Sequence, residues 1–99
     1  MKVRVTGDAL KDLQDSYDFY EKQEKGLGSY FRRCIEQDLQ GLRNTGGIHR
    51  QMRGYHHVKS KIFNSIFYYR IEQQTVVVMA ILDGRIDPTT RDRVLTQRG

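Results

Sequence analysis

The 99-residue chain contains no tryptophan, a single proline and a single cysteine. Because Cys34 has no second cysteine to pair with, an intramolecular disulfide is excluded, which fits a reducing compartment. The longest apolar run, Val76 to Leu82, is far shorter than the ~20 residues that a membrane-spanning helix needs. No apolar signal core lies near the N-terminus. We therefore expect a soluble cytoplasmic protein that folds as one domain over residues 1–99.

Sequence motifs of common enzyme and cofactor sites are also missing. The chain has no glycine-rich loop of the phosphate-binding or dinucleotide-binding kind. His56 and His57 are neighbours on a predicted strand, so their side chains point to opposite faces and do not share one metal ion. Cys34 lies on the apolar stripe of a predicted helix, where a buried structural thiol is more common than a nucleophile. We expect no metal, no cofactor and no catalytic residue.

The positive charge is confined to the second half of the chain. Residues 1–49 hold 8 Lys and Arg against 8 Asp and Glu, whereas residues 50–99 hold 9 against 4, which accounts for the net charge of +5. This asymmetry indicates either an anionic partner or a basic solvated face. Tyr55, Tyr68 and Tyr69 interleave with the basic residues and would stack on bases if exposed, or build the core if buried.

Hydrophobic periodicity predicts a helical front half and a strand-rich back half. The predicted elements are a strand at 2–6, helices at about 8–25 and 28–44, strands at 55–59, 62–71 and 75–82, and a short helix from Pro88. The glycines between the two long helices predict an antiparallel hairpin. Because neither layer buries its apolar side alone, we expect an α+β fold in which the hairpin covers one face of a mainly antiparallel sheet.

Three segments resemble the ParE branch of the RelE/ParE toxin superfamily: DLQDSYDFYEKQEKGLGSYF (12–31), GIHRQMRGYHHVKSKIFNSIFYYRIE (47–72) and VVVMAILDGRIDP (76–88). The aromatic strand FYYRIE, followed by a hydrophobic strand ending in LDGR-x-DP, is the most specific. The fold of that superfamily agrees with the predicted order of elements. The resemblance implies the toxin half of a type II toxin–antitoxin module, together with a cognate antitoxin whose C-terminal segment folds onto the toxin.

The resemblance leaves the mechanism open. RelE-like members cleave mRNA on the ribosome with basic residues of the sheet face, whereas ParE-like members trap DNA gyrase on cleaved DNA and need no catalytic residue. At positions aligned with the ribonuclease set, this chain has Asn64 or Ser65, His56, Val58, and Arg85 or Ile86. Since RNA cleavage needs charge stabilisation and a proton acceptor, the gyrase mechanism is favoured. A non-toxic binding module of the same fold is the third alternative.

Two sets of site residues follow from these considerations. We predict that the toxin contacts its target through Arg85, Arg91, Arg93 and Arg98. We predict that the antitoxin binds at the helix hairpin and the sheet near Tyr17, Tyr55, His57, Lys59 and Lys61. The expected partners are the antitoxin, in a heteromeric complex, and the A subunit of DNA gyrase with its cleaved DNA; no membrane is expected.

Overall fold

Two helices cover one face of a five-stranded sheet, and a third helix covers part of the other face. The computed structural model describes residues 1–99. Its elements are β1 (Lys2–Val5), α1 (Gly7–Gln23), α2 (Leu27–Thr45), β2 (Gln51–Met52), β3 (Tyr55–Lys59), β4 (Ser65–Glu72), β5 (Thr75–Asp83) and α3 (Pro88–Arg98). The strand order is β1-β5-β4-β3-β2, with β1 parallel to β5 and all other pairs antiparallel. The predicted α+β fold is confirmed.

A side chain of α1 holds the connection between the two helices of the hairpin. The Glu21 carboxylate of α1 accepts hydrogen bonds from the backbone N–H groups of Gly26 and Gly28, each at 2.9 Å. These bonds satisfy donors at the N-terminus of α2 that have no partner within the helix. Gly28 lies so close to α1 that a Cβ atom there would stand 2.7 Å from the carbonyl oxygen of Tyr17. A glycine is therefore needed for this helix crossing.

Strand β5 is buried on both faces, as its uninterrupted apolar sequence predicts. Toward α1 and α2 it contributes to the larger core, whose sheet residues are Phe67, Tyr69, Val76, Val78 and Ile81. Beneath α3 it contributes to a second core formed by Tyr55, Tyr68, Ala80, Leu82 and Leu95. Tyr55, Tyr68 and Tyr69 are all buried in these two cores. The alternative in which these rings stack on bases is therefore wrong.

The structure differs from the sequence prediction around residues 60–64, which bend away from the sheet so that β4 begins at Ser65 rather than at 62. The physical reason is Asp38 of α2, whose carboxylate accepts a hydrogen bond from the Ser60 hydroxyl at 2.6 Å and from the Lys61 N–H at 3.2 Å. The short strand β2 is a further element that the sequence did not predict. None of the three helices combines the length and the apolar character needed to cross a membrane.

Candidate functional site

Arg85, the first of the predicted target contacts, follows β5 directly. Its guanidinium donates two hydrogen bonds to the carboxylate of Asp83, at 3.0 and 2.8 Å. The hydrogen bond lowers the pKa of Asp83 and raises the pKa of Arg85. The Arg85 side chain nevertheless remains 65% exposed. The pair fixes the direction of the guanidinium at the end of the strand and leaves it accessible to a partner.

Two more of the predicted contacts lie on α3. Arg91 pairs with Asp92 at 3.0 Å, and Asp92 also pairs with Arg53 of the β2–β3 turn at 2.9 Å. The hydrogen bond from Arg91 is the main cause that lowers the pKa of Asp92. Arg93 is exposed and forms no ion pair. The exposed part of α3 thus carries more positive than negative charge.

Arg98, the fourth predicted target contact, points into the molecule. Its guanidinium pairs with Asp12 of α1 and donates to the carbonyl oxygen of Met79 at 3.1 Å. The side chain is only 18% exposed. Arg98 therefore joins α3 to the rest of the fold and is not an exposed contact for a target.

The residues predicted to bind the antitoxin do not form one surface. Tyr55 is 1% exposed, since α3 covers it and its hydroxyl donates to the carbonyl oxygen of Leu95 at 2.9 Å. The prediction of Tyr55 as a surface contact is therefore wrong. His57 is half-buried beside Tyr68 on the same sheet face, and Tyr17 lies on α1, away from the strands.

Lys59 and Lys61 are exposed and share a cleft between α2 and β3. The cleft has a volume of about 200 Å³ and is lined by Asp38, Gly41, Leu42, Thr45, His49, Val58, Lys59, Lys61 and Phe67. These two lysines are the part of the predicted antitoxin set that the fold brings together. One side of the cleft is formed by α2 and the other by β3 and the segment that follows it.

His49 is a cleft residue that sequence reasoning did not assign to a binding surface. Its Nδ1 lies 2.6 Å from the hydroxyl of Tyr69, which accepts a hydrogen bond from the N–H of Gly47 at 2.9 Å. Burial is the main cause that lowers the pKa of His49, and the electrostatic interaction with His56 and His57 lowers it further. The ring is therefore neutral near pH 7. The Tyr69 contact joins residues 20 apart in sequence, so no local pattern reveals it.

Exposed apolar side chains at one end of the hairpin were also missed. Phe19, Tyr30 and Ile62 are exposed, and Phe63, which follows Ile62 in the chain, packs against the core. The ring centroids of Tyr30 and Phe63 are 5.7 Å apart. The only signal in the sequence was the apolar pair Ile62–Phe63, which was assigned to a strand and hence to the interior.

Of the positions on β3 and β4 that align with the ribonuclease set, only His56 carries a basic side chain. Ser65 is buried at the start of β4, and Val58 packs against the core beneath the helices. His56 is stacked on Tyr69, with ring centroids 4.9 Å apart. No three His, Cys, Asp or Glu side chains are grouped so that they could hold a metal ion.

The sequence profile described as "ParE toxin of type II toxin-antitoxin system, parDE" matches residues 3–88. The chain therefore belongs to the ParE toxin family of type II toxin–antitoxin systems. No curated protein matches it by sequence.

Two solved structures have the same fold. One is described as the chromosomal ParDE toxin–antitoxin system from P. aeruginosa; it has a TM-score of 0.71 and 16% identity, over 82% of this chain and 92% of that one. The other is the isolated E. coli RelE toxin, with a TM-score of 0.60 and 16% identity over 97% of both chains. The order of strands and helices thus has counterparts in both of these structures.

Proposed function

We propose that this protein is a growth-inhibiting toxin that binds DNA gyrase and holds it on cleaved DNA, without catalysing a reaction of its own. A cognate antitoxin neutralises it in a heteromeric cytoplasmic complex. Membership in the ParE family supports the toxin class. The choice of gyrase as target goes beyond that class and depends on the side chains described above.

The observation that carries the proposal is that the positions of β3 and β4 aligned with the ribonuclease set are held by Ser65, Val58 and His56. Attack of a ribose 2′-hydroxyl on a phosphate requires positive charge at the phosphorane and a group that accepts the proton. Ser65 and Val58 supply neither, and His56 is engaged by its stacking on Tyr69 and by a 2.8 Å contact with the carbonyl oxygen of His49. A toxin that acts by binding has no need of these groups.

Three arginines supply the contact to the target; Arg85 and Arg93 are exposed, and Arg91 is partly buried. Arg85, Arg91 and Arg93 belong to the C-terminal region that carries the excess positive charge. Such charges attract phosphates and speed the encounter with a DNA-bound enzyme. We place the A subunit of gyrase and its cleaved DNA against this arginine surface, defined by Arg85, Arg91 and Arg93.

A RelE-like ribosome-dependent ribonuclease is the second candidate, because Arg85 is exposed and the resemblance aligns either Arg85 or Ile86 with a functional arginine of that superfamily. That candidate requires mRNA cleavage in the ribosomal A site, and it requires that the cleavage disappear in Arg85→Ala. The gyrase proposal requires intact mRNA.

Induced expression in growing cells, with and without the antitoxin, tests the proposal. We expect growth arrest, broken chromosomal DNA and intact mRNA, all reversed by the antitoxin. Cleaved mRNA with an unbroken chromosome would establish the ribonuclease instead. Normal growth at high expression would show that the chain is a non-toxic binding module.

A further inference from the structure

One carboxylate connects α3 to the turn between β2 and β3. Oδ2 of Asp92 lies 2.9 Å from a terminal nitrogen of Arg53, and Oδ1 accepts a hydrogen bond from Nε of Arg91 at 3.0 Å. The side chain of Asp92 is only 23% exposed. Because the two contacts end on the two oxygens of one carboxylate, the guanidiniums of Arg53 and Arg91 are held close together beside α3.

Both guanidiniums keep nitrogens that have no partner in the protein. A guanidinium carries five N–H donors on three nitrogens. Arg91 uses only Nε on Asp92, and Arg53 uses only one terminal nitrogen. Arg53 is 57% exposed and Arg91 26% exposed. The two positive charges exceed the single negative charge between them, so the group attracts anions whose oxygens match the arginine donors.

A tyrosine hydroxyl lies near these arginines. The ring of Tyr68 is buried in the core beneath α3. Its hydroxyl forms no hydrogen bond within the protein, and since no buried polar side-chain atom lacks a partner, this oxygen reaches the surface. Burial is the main cause that raises the pKa of Tyr68, while the charge of Arg91 lowers it and that of Asp92 raises it. The hydroxyl is therefore protonated near pH 7 and can donate to an anion.

The turn that carries Arg53 is unfavourable for an arginine. Arg53 and Gly54 form the two-residue turn between β2 and β3, with φ angles of +56° and +81°. Asn-Gly is the favoured sequence of such a turn, because the left-handed conformation costs most other side chains free energy. Residues in this conformation are common where a side chain contacts a ligand. The conformation of Arg53 thus supports a binding role for its side chain.

We propose that Arg53 and Arg91, held together by Asp92, bind a backbone phosphate of the cleaved DNA, with the Tyr68 hydroxyl as a further donor. This inference rests on the proposed function, which brings DNA to α3. It adds the β2–β3 turn to the arginine surface. Donors from three separate segments suit the tetrahedral phosphate, whereas the plane of one guanidinium is already sufficient to match a carboxylate of an acidic protein.

The test measures binding of the purified toxin to a short, fluorescently labelled DNA duplex by anisotropy, over a series of salt concentrations. Arg53→Asn removes the guanidinium and suits the turn, so the fold is preserved. Arg53→Lys keeps the charge without the planar fork, and Tyr68→Phe removes only the hydroxyl. The matched control, Arg33→Asn, makes the same substitution at an exposed arginine of α2 that forms no ion pair. The same proteins are titrated with the A subunit of gyrase without DNA.

We expect Arg53→Asn to weaken duplex binding about fivefold or more at low salt. It should also reduce the slope of log affinity against log salt by about 1, as the loss of one phosphate contact does. Arg53→Lys should keep the slope and bind with intermediate affinity. Tyr68→Phe should weaken binding about threefold with an unchanged slope, because it removes a hydrogen bond and no charge. The control should bind within about twofold of the unmodified toxin.

Equal duplex binding by the unmodified toxin and Arg53→Asn, or no duplex binding by the unmodified toxin, would overturn the phosphate site. If Arg53→Asn loses only its binding to the gyrase A subunit, the anion is an acidic protein surface and the phosphate proposal is wrong. A toxin that binds the duplex through Arg53 but releases no linear DNA from gyrase would refute the proposed function and leave the phosphate contact in place.

Discussion

Arg98 in the last turn of α3 pairs with Asp12 of α1, a residue 86 positions away, and donates to its Oδ1 at 2.9 Å. The same Asp12 carboxylate accepts the N–H of Ile81 at 3.0 Å, beyond the point where β1 stops pairing with β5. The pair thus joins α1, β5 and α3. The hydrogen bond with Asp12 is also the main cause that raises the pKa of Arg98.

The side chains of Arg98 and Asp12 are both mostly buried. Removal of Arg98 therefore leaves the buried carboxylate of Asp12 without its cation. We expect Arg98→Ala to lower the free energy of unfolding by about 2–3 kcal/mol, measured by urea denaturation. Arg93→Ala, on the same helix but exposed, serves as control and should change it by less than about 0.5 kcal/mol. Equal effects of the two substitutions would show that the Asp12 contact contributes little.

The helix crossing at Gly28 makes a second prediction about stability. A Cβ atom there would lie 2.7 Å from the backbone oxygen of Tyr17, whereas a Cβ at Gly41 of the same helix meets nothing within 4 Å. We expect Gly28→Ala to destabilise the fold by about 1–3 kcal/mol and Gly41→Ala to stabilise it by up to about 1 kcal/mol. Thermal unfolding monitored by circular dichroism measures both, and a stabilising Gly28→Ala would refute the close crossing.

The hairpin between β4 and β5 turns through Gln73 and Gln74, whose φ angles are +49° and +60°. A two-residue turn with positive φ at both positions favours Asn-Gly. We expect Gln73→Asn/Gln74→Gly to raise the free energy of unfolding by about 1 kcal/mol, because the left-handed conformation costs these residues less. Unchanged denaturant midpoints would contradict the turn geometry.

His49 makes stability depend on pH. Its folded pKa is lowered below 6.5, chiefly by burial, so below pH 6.5 the unfolded chain takes up more protons than the folded one. Stability from this residue is therefore present above the unfolded pKa and falls as pH drops through it. We expect His49→Asn to lose less stability than the unmodified protein between pH 7.5 and about 5.5, measured by urea denaturation. Equal losses would show that His49 is protonated alike in both states.

The arginine surface predicts which charges toxicity requires. Arg85→Glu/Arg93→Glu should abolish growth arrest on induction while leaving the far-UV circular dichroism spectrum unchanged, because both side chains are exposed. Lys22→Glu/Lys25→Glu makes the same charge change on α1 and should remain toxic. If the arginine variant arrests growth as strongly as the unmodified chain, the target contact lies elsewhere.

The helices and most strands were predictable because their apolar residues repeat at local intervals. The hairpin follows from the spacing of residues 10–42, and β5 follows from its seven consecutive apolar residues, Val76 to Leu82. By contrast, the short β2 has too few residues to show a period. The bend at residues 60–64 depends on Asp38, which is more than 20 positions away.

The site was harder to predict, because packing between segments that are distant in sequence determines which side chains are exposed. Arg93 and Arg98 look alike in sequence, but only Arg98 points into the molecule, because it pairs with Asp12. In the sequence, Tyr55 stands near basic residues and looks like a surface residue. In the structure, α3 covers it. Lys59 and Lys61, which lie at the end of a strand and in the adjoining bend, were predicted from the sequence as one set and line the same cleft.

The amount of linear DNA released from purified gyrase and circular plasmid, after protein digestion, decides the proposed mode of action. If the toxin holds gyrase on cleaved DNA, linear DNA should increase with toxin concentration while supercoiling declines, and prior addition of the antitoxin should prevent both. Normal supercoiling with no linear DNA, at toxin in excess over gyrase, would contradict the proposal.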